Sequence, residues 1–216
     1  VSTGDRFFTK VVPQKPGDDG LFGARGVSSG YIAVGTTKST TNIEGDGWLV
    51  RMTEGGSVSW DRVVGDQSHI EVLHDVDRFD NGFIAVGSRV PKSGGNAAPM
   101  YVLAPDDAKG NMQQKTTNST GGWIAVASRG NTKFESLVVG GGSSPMYQRV
   151  VANGNDQPMT VQAVKGSFLD VTASNFGFYA VGSDVTRKDT LLAEFDAGGQ
   201  LVRRWSIDVL DNDSGQ

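Results

Sequence analysis

The sequence predicts an all-β fold assembled from four copies of one short repeat. Each copy reads glycine, aromatic, Ile or Tyr, Ala, Val, a small residue, then Ser or Thr. The copies are residues 30–36, 82–88, 122–128 and 177–183. Between them, runs rich in β-branched and aromatic residues alternate with glycine-bearing turns, and no amphipathic helix longer than about two turns is recognisable. These observations favour short strands joined by tight turns.

Each copy of the repeat is itself predicted to be a strand that is covered on both faces. Side chains alternate along a strand, so Tyr31 and Ala33 share one face while Ile32 and Val34 share the other. Both rows are apolar, which is typical of a sheet packed between two neighbouring layers. The small residues would let the next sheet approach closely. The sequence therefore predicts a stack of sheets.

Three further strands accompany the repeat strand, which suggests a blade-like unit. Second strands are predicted at 48–52, 100–104, 134–139 and 191–195, and third strands at 58–64, 146–151 and 201–207. First strands are predicted at 71–78 and 168–173, where His74-Asp75-Val76 aligns with Leu169-Asp170-Val171. Four strands per unit and four units predict a single-domain β-propeller.

The boundaries of these repeat units follow from the same alignment. The units cover about 20–65, 70–115, 116–151 and 160–207, and a strand within 1–13 is predicted to close the ring. Two alternatives stay open, a propeller of five blades and a fragment of a larger propeller.

The motifs also resemble a known group of proteins. The repeat strand precedes Trp48-Leu-Val-Arg51 and a hairpin with Gly55-Gly56 and Trp60. This order resembles the repeats of secreted or cell-surface bacterial β-propeller proteins, and the hairpin at 56–65 is similar to those of quinoprotein-like propellers. The resemblance implies a propeller fold and a secreted, periplasmic or cell-surface location. It implies no quinone site and no shared activity.

Composition narrows the classes of partner. The chain of 216 residues has a formal net charge of −4 and no basic stripe, which argues against nucleic acid. It contains no cysteine, so disulfides and thiolate chemistry are excluded. No apolar run approaches the roughly 18 residues that a membrane-spanning helix needs, so no membrane insertion is predicted.

The two histidines are the first place to look for chemistry. His69 and His74 lie an odd number of positions apart on a predicted strand, which points them to opposite faces and argues against a metal that they share. His74, Asp75 and Asp77 form the acidic and basic cluster that a hydrolase would use. Asp170 takes the place of Asp75 in another unit, which favours a structural role. No catalytic residue, metal or cofactor is predicted.

The predicted function is a non-catalytic module that binds a protein partner, as an inhibitor or immunity protein does. The loops 37–46, 89–98 and 184–189 would gather on one face and vary among copies, as a binding surface requires. One alternative is a carbohydrate-binding propeller with Trp48, Tyr101 and Tyr147 as stacking platforms. Another is a hydrolase built on His74, Asp75 and Asp77. A last alternative is a propeller segment that assembles with itself or with its parent.

Overall fold

The computed structural model describes residues 19–38, 45–107, 110–129, 135–151 and 158–208. Over these ranges the chain forms sixteen strands and no helix, and every strand pair is antiparallel. The predicted all-β fold is confirmed. No helix in the described ranges is long and apolar enough to span a bilayer. The predicted closing strand within 1–13 lies outside the described residues.

The first two repeat units are separate four-stranded sheets in which the strands follow chain order. The first sheet contains β1 (Gly20–Val27), β2 (Gly30–Thr37), β3 (Asp46–Met52) and β4 (Val58–Val64). The second sheet contains β5 (His69–Phe79), β6 (Gly82–Pro91), β7 (Ala98–Pro105) and β8 (Gln113–Thr116). The repeat strand is the second strand in both, as predicted from the sequence.

The third and fourth units are joined by one strand pairing, Gly141 with Ser167. The third unit contains β9 (Gly122–Arg129), β10 (Glu135–Gly141), β11 (Pro145–Val151) and β12 (Met159–Thr160). The fourth unit contains β13 (Gly166–Ala173), β14 (Gly177–Asp184), β15 (Asp189–Asp196) and β16 (Leu201–Ile207). In the third unit the repeat strand β9 comes first, and the strands of this unit lie between 122 and 160.

A bulge recurs at the same place in the first strand of three units. It falls at Phe22 in β1, His74 in β5 and Leu169 in β13. The glycine at the sixth repeat position lies beside it, because a Cβ on Gly87 would lie 1.9 Å from the carbonyl oxygen of Val72. In the three units with this bulge, the glycine is therefore required by close backbone approach inside the sheet.

Three hydrophobic clusters fill the spaces between successive sheets. Ile32, Val34 and Leu49 of the first sheet pack on the second sheet. Ile84, Val86 and Tyr101 of the second sheet pack on the third unit, whose own members include Trp123, Val126 and Val138. The largest cluster lies between the third and fourth units and includes Leu137, Phe168, Phe178 and Phe195. Packing between the flat faces of sheets, and not a single central core, therefore holds the described chain together.

Candidate functional site

The three aromatic residues predicted to stack on a ligand are all buried. Trp48, Tyr101 and Tyr147 have nearly no accessible surface. The indole Nε1 of Trp48 donates a hydrogen bond to Asp61 Oδ2 at 3.2 Å. The ring centroid of Tyr147 lies 4.8 Å from that of Phe195. Burial also raises the pKa of Tyr147. As placed here, none of the three rings offers a free face to a sugar.

His74, Asp75 and Asp77 lie on β5, the edge strand of the second sheet, which lies next to β1 of the first sheet and β9 of the third unit. The ring centroid of His74 lies 6.4 Å from that of Phe22, and burial lowers the pKa of the imidazole. Burial also raises the pKa of Asp75, while its Oδ2 accepts a hydrogen bond from the Val126 amide at 2.9 Å. Asp77 Oδ2 accepts one from the Ser128 amide at 2.8 Å.

These hydrogen bonds have a simple structural reason. Among the described residues β9 pairs only with β10, so alternate amides of β9, including Val126 and Ser128, point away from the sheet. An open edge of this kind needs acceptors, and the two aspartates of β5 supply them. Asp77 also pairs with Arg25, whose Nε lies 3.0 Å from Oδ1. The two carboxylates therefore connect β5 of the second sheet to β1 of the first sheet and to β9 of the third unit.

A different cluster of charged side chains lies where the first sheet meets the second. Asp66 lies in the turn after β4, His69 and Glu71 lie at the start of β5, and Arg89 lies near the end of β6. Ligand atoms of the first three residues all fall within 4.8 Å of one another. Arg89 reaches each of them, with Nε 3.1 Å from Glu71 Oε1, Nη2 2.8 Å from His69 Nδ1, and an ion pair to Asp66.

The spacing of His69, Glu71 and Asp66 in the sequence could have indicated this cluster, although the two histidines were predicted to lie apart. His69 and Glu71 are two positions apart and therefore share a face of β5, with Asp66 one turn earlier. The strand pairing of Ser88 and Arg89 with Val72 and Glu71 then brings the guanidinium alongside. Only the β5–β6 register makes that last placement visible.

Hydrogen bonding lowers the pKa of one carboxyl group of the cluster, and burial raises the pKa of the other. The hydroxyl of Ser68 donates to Asp66 Oδ1 at 2.6 Å, and with His69 it holds the pKa of Asp66 well below its usual range. Desolvation raises the pKa of Glu71 to about 7, although the nearby guanidinium of Arg89 opposes this shift. The side chain of Glu71 is fully buried, and neither of its oxygens has a hydrogen-bond partner within the described chain.

The raised pKa of Glu71 predicts that the protein loses stability as the pH rises from about 4.5 to about 7. In this window the unfolded carboxyl ionises while the buried one keeps its proton, so the native state binds more protons and the free energy of unfolding falls. One pKa unit corresponds to about 1.4 kcal/mol, which sets an upper limit of about 3 kcal/mol. The measurement is urea unfolding of the wild type and of Glu71→Gln at several pH values across this window, with EDTA present. A fall of equal size in Glu71→Gln would contradict the assignment to Glu71.

The last sheet has one face without a packed neighbour among the described residues. On β14, β15 and β16 the directly paired residues Val181, Leu192 and Trp205 form one row, and Tyr179, Glu194 and Arg203 form the next. We call these six residues the outward face. Val181 is 39% exposed and Trp205 is 37% exposed. The opposite face of the same strands, with Phe178, Ala180 and Leu191, lies in the core.

The polar residues of the outward face are held in place by one another. Glu194 forms an ion pair with Arg203 and accepts a hydrogen bond from the hydroxyl of Tyr179 at 3.3 Å. The guanidinium of Arg203 lies over the ring of Trp205, 4.9 Å from its centroid. The outward face is thus an apolar row beside a fixed pair of opposite charges, and such a combination suits a protein partner.

The equivalent residues of the first two sheets are fully covered. Val34 and Val86 take the place of Val181 in the repeat, and both are 0% exposed because the next sheet packs on them. Leu49 and Tyr101 take the place of Leu192 and are buried in the same way. The outward face is therefore a copy of an internal packing surface, without a described sheet on it.

Comparison with known proteins gave no match, either to protein-family models or among curated proteins. The candidate sites are therefore assigned from the geometry of the described residues.

Proposed function

We propose that this protein is a non-catalytic interaction module of the β-propeller type, and that it binds a protein partner through the outward face of its last sheet. The single observation that supports this most is the difference between Val181, which is 39% exposed, and the fully buried Val34 and Val86 at the same repeat position. A protein of this size rarely leaves a row of large apolar side chains uncovered on a flat sheet. The sequence predicted loops as the binding surface, whereas the surface proposed from the structure is a sheet face.

The chemistry of the partner follows from the interfaces inside the chain. The face equivalent to the outward face is covered in the second sheet by Trp123 and Val126, and in the first sheet by Phe83 and Ala85. By analogy, an aromatic ring together with small side chains would pack on Val181 and Leu192 of the outward face. The partner is therefore a protein that presents a β-sheet face with one aromatic side chain beside small residues.

A different protein, and not a second copy, is the proposed occupant. In a second copy the matching face would belong to the first sheet, with Ala33, Trp48 and Val50 on it. These residues are 2%, 3% and 0% exposed, so that face is already covered within the chain. A second copy would have to uncover it before docking.

Replacing Leu192 with aspartate is expected to weaken partner binding by about 30-fold or more, because interface-centre residues typically contribute about 2 kcal/mol. A photo-crosslinking residue at Val181 in the full chain, exposed to extract of the source organism, should give one defined adduct with another protein. The adduct should disappear in the Leu192→Asp background.

Val185 provides the matched control, since it is exposed but lies outside the outward face in the turn between β14 and β15. A crosslinker at Val185 should give no such adduct, and Val185→Asp should not reduce the adduct formed at Val181. An adduct of the chain with itself, with a dimer mass by light scattering, would replace the proposed partner by a second copy. If no adduct forms at Val181, the proposed function is wrong.

A further inference from the structure

The charged cluster between the first and second sheets has the donor atoms of a metal site. Asp66 and Glu71 offer carboxylate oxygens and His69 offers a ring nitrogen, all within 4.8 Å of one another. Mixed nitrogen and oxygen donors of this kind suit Zn²⁺, whereas Ca²⁺ takes oxygen ligands alone. Proximity of acidic residues is common without any metal, so the inference depends on what surrounds the three donors.

The guanidinium of Arg89 stands at the centre of this group, in the position of a cation. Its Nη2 lies 2.8 Å from His69 Nδ1 and forms an ion pair with Asp66, while its Nε lies 3.1 Å from Glu71 Oε1. His69 Nδ1 also lies 2.9 Å from Asp66 Oδ1 and 2.7 Å from Ser68 Oγ, so this ring nitrogen points into the cluster, as a metal-ligating nitrogen would. The three groups therefore already converge on one positive charge.

The ion pair with Arg89 leaves the Glu71 carboxyl group without a hydrogen bond. The carboxyl group is fully buried, and although Arg89 Nε forms an ion pair with Oε1 at 3.1 Å, neither oxygen has a hydrogen-bond partner in the described chain. A buried carboxylate without hydrogen bonds is costly, and a coordinated metal ion would remove this cost. A network built only to hold the two sheets together would be expected to pair these atoms.

The backbone at Gly65 lies close to Glu71 and to a second carboxylate. Gly65, at a φ of +155°, has no side chain, and a Cβ there would lie 2.6 Å from both Glu71 Oε2 and Asp46 Oδ1. A side chain at this position would clash with both oxygens, so glycine is what allows the two carboxylates to lie this close to the turn. Asp46 therefore lies within reach as a further oxygen donor on the side of the first sheet.

We propose that Asp66, His69 and Glu71 form a binding site for a divalent metal ion of the zinc type, whose place the guanidinium of Arg89 takes when no metal is bound. Binding would require Arg89 to turn out of the cluster toward solvent. The metal would then connect the turn after β4 to the start of β5, and so fix the second sheet against the first.

Isothermal titration of the full chain with ZnCl₂, after treatment with EDTA, tests the site. We expect one Zn²⁺ per chain. Loss of even an outer-shell partner weakens metal sites by about 10–100-fold, so loss of the ligand in His69→Gln should weaken binding by about 100-fold or more. His74→Gln is the matched control, because it removes the other histidine of the chain and should leave the affinity unchanged.

Arg89→Gln separates a metal site from a structural ion network. Removing the competing guanidinium should tighten Zn²⁺ binding by at least about tenfold if it occupies the site in the metal-free state, because the displacement then costs nothing. Cobalt substitution should give a visible absorption band that His69→Gln removes and Asp66→Asn weakens. Circular dichroism identifies any variant that does not fold, and Asp66→Asn then takes the place of His69→Gln. No Zn²⁺ binding by the wild type and by Arg89→Gln, or equal binding by His69→Gln, would overturn the proposal.

Discussion

Replacing Trp123 with alanine is expected to destabilise the protein by about 3–5 kcal/mol. Trp123 is 0% exposed and packs between the second and third units, against side chains that include Ile84, Val86 and Tyr101. Truncation would remove a large ring from a close-packed interface and leave a cavity there. Urea unfolding followed by circular dichroism measures the change.

Trp205→Ala is the matched control, because it removes the same side chain from the outward face. There the ring is 37% exposed and contacts Arg203 instead of a packed sheet. The expected destabilisation is about 1 kcal/mol or less, as for an exposed cation–π contact. If both variants lost the same stability, the stacked-sheet account of the core would be wrong. If Trp205→Ala lost partner binding but little stability, the outward face would gain support.

Replacing Asp77 with alanine is expected to cost about 2–4 kcal/mol, since this buried carboxylate connects three units. Its Oδ2 accepts from the Ser128 amide at 2.8 Å, and its Oδ1 accepts from Arg78 N at 2.8 Å and pairs with Arg25. Alanine would leave an amide at the open edge of β9 without an acceptor. Hydrogen exchange should show faster exchange of the Ser128 amide, together with the loss of stability.

Asp170 offers the comparison for this prediction. It lies on β13 beside the same bulge that precedes Asp75 on β5, but it is exposed and its Oδ1 accepts from the Val171 amide of its own strand. Asp170→Ala should cost less than about 1 kcal/mol. Asp77→Asn keeps an acceptor oxygen for the Ser128 amide and should recover part of the loss. Equal losses in Asp77→Ala and Asp170→Ala would contradict the role of the aspartates at the edge of β9.

The strands and their grouping could be predicted because they depend on local pattern. The repeat strand at 82–88 has two apolar rows and a glycine at its sixth position, and these features predict a strand next to a bulge, as in the first, second and fourth units. The third unit could not be predicted as well. Its first strand is the repeat strand itself, and only the placement of β5 beside β9 shows how the open edge is satisfied.

The candidate sites were less predictable than the strands. Trp48, Tyr101 and Tyr147 have the aromatic side chains of a binding surface, but in stacked sheets both faces are covered and these rings are buried. His69 was compared with His74, although its partners are Asp66 and Glu71 across a turn and Arg89 on the next strand. Residues that meet through strand register cannot be paired without knowing that register.

The sequence by itself determined the all-β class, the repeat and the positions of most strands, because alternation of side chains and glycine in turns act over a few residues. Only the tertiary structure decided which copy of the apolar row stays uncovered. Ile84 with Val86 and Tyr179 with Val181 have the same pattern, yet the first pair is buried and Val181 is exposed. The reason is physical: burial depends on whether another sheet follows in space, and no property of the row itself encodes its neighbour.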